Sequence, residues 1–187
     1  FAVKLWKNSA YNNLSNGWDL LVMAFLMLVV GIGSFIFHTI ATKWAGLADV
    51  LPIALFIHFG LGVFLFRVAK SGLLITLLGV FAFGVYSVYI QKLVPPEMFN
   101  RSGQYFSAIT LLIAMAVFCW LKKIPSAKYF GYALLAFLAS LTFRSLDMQL
   151  CASLPIGIHY MWHLLNSVVM YLVFKGVLYS SRINLAI

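Results

Sequence analysis

Apolar residues run through this chain in six blocks, at residues 18–38, 48–66, 72–91, 104–121, 129–147 and 158–174, with short polar breaks between them. Each block approaches the roughly 20 mostly apolar residues that a helix needs to cross the hydrocarbon core of a bilayer. Strands are a poor alternative, because they would have to close a barrel and would alternate polar and apolar side chains. The pattern therefore predicts an all-α fold, a polytopic transmembrane helix bundle with six visible spans. The longest break, KLVPPEMFNRSG at residues 92–103, carries a Pro-Pro pair that stops a helix. No linker or low-complexity tract interrupts the blocks, so residues 1–187 are expected to form one transmembrane domain.

Composition agrees with this pattern. With 64% hydrophobic and 9% charged residues, the chain cannot cover a water-soluble surface with polar groups. The net charge of +9 is accounted for by Lys and Arg in the breaks, where they orient a membrane protein and meet anionic headgroups, so no nucleic-acid partner is expected. Nine of them, Lys4, Lys7, Arg67, Lys70, Lys122, Lys123, Lys128, Lys175 and Arg182, fall on one side of six alternating spans. Lys43, Lys92 and Arg101 fall on the other, with Arg144 close to it. The richer side is expected to be cytoplasmic. Cys119 and Cys151 show no CxxC spacing and are taken as packing residues. The chain starts at Phe1 with no charged-then-apolar leader, and its start is expected to be a processed or missing end.

Against this background five polar residues stand out: Ser34, His38 and Asp49 in GSFIFHTIATKWAGLAD, and His159 and His163 in HYMWH. All five lie at span ends opposite the charge-rich loops. Ser34 and His38 are four apart, as are His159 and His163, so each pair shares a helix face. Three imidazoles suit zinc, and a catalytic zinc site leaves a fourth position to a water with a pKa near about 7. Asp49, eleven residues after His38, is the nearest carboxylate to balance the charge and act as general base. Taken singly, each histidine can equally be a structural residue bonded to a backbone carbonyl. His58 has no partner four residues away and is read as structural. Arg144 and Asp147 are expected to form a mutual ion pair, or else to line the mouth of the site. Glu97 and Arg101 are read as solvated loop residues, Met23, Met27 and Met115 as core filler, and Gly31 and Gly33 as points of close helix approach.

Two other functional classes use the same residues. A membrane cytochrome would bind haem through His38 or His58 with His163, and a receptor- or transporter-like bundle would hold a purely structural metal. Ser34 and Asp49 favour a hydrolase, since a structural zinc site is normally closed by four protein ligands.

GIGSFIFHT, then LADVLPIALF, then HYMWHLL resemble the alkaline ceramidases and their bacterial relatives, grouped with the adiponectin-receptor-like proteins as seven-helix membrane hydrolases. The resemblance covers residues 11–174, the middle spans in hydropathy only. It implies zinc held at His38, His159 and His163, with Asp49 and Ser34 completing the site. The implied reaction is hydrolysis of a ceramide amide to a fatty acid and a sphingoid base, so the expected partner is a long-chain amide lipid within the bilayer. AYNNLSN at residues 10–16 is similar to an early family segment, but its calcium-binding acid corresponds to about Ser9, and calcium is not expected. A family helix is expected to be missing between Asn16 and Gly17; restoring it changes the charge count to seven against five with the same orientation. The short loops look like the bacterial relatives, which implies a cytoplasmic membrane with the site toward the outside.

Overall fold

A computed structural model of the protein describes residues 17–95, 98–150 and 157–183. Among these, every regular element is helical, and six helices are long and apolar enough to cross a membrane. Each of the six expected blocks coincides with one of them, except that Gly72 and Ile158 lie one residue before their helices. The early segment at residues 10–16, Lys4, Lys7, Ser9, Glu97 and Cys151 lie outside the described residues, and the side chains of Arg101 and Arg182 are likewise not described. The chain divides after Val63 into two compact units.

The first unit is a helical hairpin. Helix α1 spans Trp18–Ile40 and α2 spans Lys43–Val63. At about 1.5 Å per residue, the 23 residues of α1 exceed the roughly 30 Å of a hydrocarbon core. The helix stops because Ala41 turns left-handed, at φ 52°, while its N–H still bonds to the Phe37 carbonyl at 2.8 Å. Only Thr42 separates this cap from α2. The second helix therefore begins five residues earlier than the apolar block starting at residue 48, because Lys43 and Trp44 are polar or interfacial in character yet helical in backbone.

What draws the two helices together is small-residue packing. A Cβ on Gly33 would fall against the carbonyl oxygen of Ala48 and 3.3 Å from the amide nitrogen of Asp49, so only glycine fits there. Pro52 explains why that carbonyl is available. Its ring nitrogen has no hydrogen to donate to the residue four before it, which is Ala48. The freed oxygen is left facing the Gly33 backbone, where a Cα–H contact is the natural substitute. Gly31, two residues earlier, is exposed and a Cβ there would meet nothing within 4 Å. The expectation of close approach thus holds for Gly33 and fails for Gly31, which lies on another side of α1. Met23 is fully buried, as core filler should be.

The second unit opens with a π-helical turn, Phe64–Val68, continuing from α2; Ala69 N–H reaches the Phe64 carbonyl at 3.0 Å. Helices α3 (Leu73–Leu93), α4 (Phe106–Leu121), α5 (Ala127–Leu150) and α6 (His159–Ile183) follow, with a 3₁₀ segment, Met98–Tyr105, leading into α4. Aromatic rings fill the centre. Phe64 meets Phe130 edge-on at 5.3 Å and Phe118 at 5.7 Å, while Phe130 lies against Gly176, where a Cβ would come within 2.9 Å of the ring. Cys119 is fully buried beside Ser126, in keeping with a packing role. Polar side chains inside this apolar unit are used to join helices: Ser126 to Ser180, and Ser140 of α5 to the Trp162 carbonyl of α6 at 3.0 Å. A buried hydroxyl bonded across helices avoids the cost of an unpaired polar group in hydrocarbon.

Candidate functional site

Ser34, His38 and Asp49 belong to the first unit, and His159 and His163 to the second. In the hairpin, Ser34 and His38 lie one turn apart on α1, Ser34 half-buried and His38 exposed. His38 contacts the Phe37 ring edge-on at 5.4 Å. Asp49 is reached from the other side of the crossing. Because Gly33 packs on Ala48 and on the Asp49 backbone, the residue pairs 33–34 and 48–49 meet at one level of the hairpin. The Oδ1 of Asp49 is buried and has no hydrogen-bond partner among the described residues. A buried oxygen without a partner costs about 1–3 kcal/mol, and more when charged, so this position suits a bound water or cation. Thr42 Oγ1, in the connection just before α2, is also buried with no hydrogen-bond partner among the described residues.

In the second unit, the start of α6 sets the other two histidines. Gly157 has φ 66°, a conformation that side chains rarely adopt, and turns the chain into the helix. His159 and His163 then stand on one face with ring centroids 5.1 Å apart. A ring nitrogen from each lies within 4.8 Å of the other's, close enough for both to reach one ion. Trp162 fixes the rotation of the helix. It is 3% exposed, packs at 4.8 Å from Tyr105 and 6.1 Å from Phe137, and its carbonyl receives the Ser140 hydroxyl. Holding Trp162 inward leaves the histidine face, about 100° away from it across His163, at a defined angle.

Asp147 departs from the expectation. Its Oδ1 accepts the Ile158 N–H at 2.7 Å and its Oδ2 stands 3.7 Å from His159 Nδ1. The Arg144 guanidinium instead lies 5.3 Å from the Trp162 ring centre and 5.5 Å from that of Tyr105, a cation–π arrangement. The partner of Asp147 is thus the histidine helix, and the expected mutual pair with Arg144 gives way to it. The reason is local: the first N–H groups of α6 need an acceptor, and Asp147 supplies one from the last turns of α5. His58 matches its structural reading, with Nδ1 donating to the Ala54 carbonyl at 2.8 Å within its own helix.

In the second unit the donor set fits a borderline-soft divalent ion: neighbouring imidazole nitrogens on α6, with a carboxylate beside one of them. No protein-family model, no curated protein and no solved structure matches the chain.

Proposed function

We propose that this protein is an integral-membrane, zinc-dependent amide hydrolase that cleaves ceramide-like lipids into a fatty acid and a sphingoid base. The observation that carries the metal assignment is the His159–His163 pair, whose nitrogens converge on one face of α6. His38 is the proposed third ligand, supported by its spacing from Ser34 and by the resemblance of GIGSFIFHT and HYMWHLL to the alkaline ceramidases. When bound, zinc supplies Lewis acidity for the amide carbonyl and lowers the pKa of water.

The remaining chemistry falls to the hairpin. Asp49 accepts a proton from the attacking water and passes one to the leaving amine, so that water adds to the carbonyl carbon and the C–N bond breaks. Its buried, unpartnered Oδ1 supports this role, since an oxygen already committed to a protein donor would be a poor base. Ser34 donates its hydroxyl hydrogen to the developing oxyanion. Position within an apolar helix pair suits a long-chain amide delivered from the bilayer, in a bacterial cytoplasmic membrane with the site toward the outside.

The test is metal analysis of the purified protein combined with a screen of acyl-chain amides in detergent. Zinc and release of fatty acid from a ceramide are expected together. A preparation with zinc and no amide turnover across the screen would leave the metal as structural and overturn the hydrolase reading, and a Soret band would replace both with haem.

A further inference from the structure

Among the polar groups that the proposed reaction does not use, Asp147 has the most specific surroundings. Its side chain is 13% exposed, an expensive place for a carboxylate in a helix of a membrane protein, and its two oxygens face Ile158, just before α6, and His159, its first residue. One oxygen holds the Ile158 N–H at 2.7 Å; the other faces Nδ1 of His159 at 3.7 Å. Backbone capping alone needs only one acceptor, and a serine, asparagine or carbonyl would serve at lower cost. The charge finds its use in the second contact.

We infer that Asp147 is a positioning residue for His159, holding the Nδ1–H side of the imidazole so that Nε2 is the nitrogen offered to zinc. The inference rests on the proposed metal site and deepens it. A carboxylate behind a ligand histidine fixes the tautomer, limits ring rotation and raises the basicity of the opposite nitrogen. Asp147 does a further job in the same place: by gripping Ile158 it fixes the backbone one residue before the histidine, so ring and main chain are set by one side chain. Ser140, seven residues before Asp147 on α5, adds a second tie to α6 through the Trp162 carbonyl. His163 shares the face, and its position follows from the same anchors.

Two variants of the full chain separate this role from simple capping. Asp147→Asn keeps an oxygen for Ile158 and loses the charge, whereas Asp147→Ala loses both. Zinc affinity is measured by competition with a chelator, and thermal stability is measured on the metal-free protein. Asp147→Asn is expected to bind Zn²⁺ roughly 10–100-fold more weakly while the metal-free melting temperature stays at the wild-type value. Asp147→Ala should show the same loss of affinity together with a lower melting temperature. If Asp147→Asn binds zinc as tightly as wild type, Asp147 is a cap only and the inference fails with the zinc site intact. An asparagine variant whose metal-free stability falls also overturns it, by showing a structural role. Wild-type protein that takes up no zinc contradicts the proposed site itself.

Discussion

His58 and His159 are both histidines in long apolar helices, yet their Nδ1 atoms meet different kinds of partner. His58 donates to the Ala54 carbonyl four residues back, inside α2. His159 faces a carboxylate brought by another helix, α5, and has a second imidazole one turn further along. The first arrangement gives a membrane histidine a backbone acceptor within its own helix, which lowers the cost of placing it there. The second requires a buried acid, a glycine turn and a buried tryptophan to be in place, and in the proposed function that arrangement serves a bound metal. The difference shows that depth in an apolar helix says little about a histidine, while the chemistry behind its ring says much.

The largest effect that can break this comparison is on metal. His163→Ala should lower zinc affinity by at least about two orders of magnitude, since it removes a ligand outright; chelator competition reads this. His58→Leu should leave zinc affinity unchanged, and a loss there would erase the distinction. Next comes the reaction. Asp49→Asn is expected to retain zinc and to lower ceramide turnover by roughly 10²–10⁴-fold, the range of a lost general base, with released fatty acid as the readout. Normal turnover in that variant would remove Asp49 from the proton transfer.

Smaller effects concern the scaffold. Gly33→Val should destabilise the protein by about 1–3 kcal/mol in thermal or denaturant unfolding, because its side chain would meet the Ala48 carbonyl. Gly31→Val, facing open space, should cost less than about 1 kcal/mol. The smallest change expected is in the stability of His58→Leu, within about 1 kcal/mol of wild type. The Ala54 carbonyl keeps its helical position, and an apolar side chain replaces a polar one.

Much of this architecture was legible in the chain. Apolar runs located the six membrane-length helices among the described residues, since the need for continuous apolar length is a strong constraint, and i,i+4 spacing paired His159 with His163. Helix ends were less legible: α2 starts at Lys43, before its apolar block, because a left-handed Ala41 lets the chain reverse in two residues. The GxG motif carried no sign of which glycine faced a neighbour, as that depends on the rotation of α1. Asp147 was visible as an acid near the site, but its nearest charge in sequence, Arg144, was the wrong guide. Its actual contacts, Ile158 and His159, are eleven and twelve residues away and are joined by tertiary structure. The link between Pro52 and Gly33 was hidden for the same reason, although the missing N–H was there to be read.

Zinc content per chain, measured on purified wild type, His58→Leu and His163→Ala side by side, tests the central claim most directly. About one zinc is expected in the first two and almost none in the third. Equal zinc in all three, or none in the wild type, would contradict it.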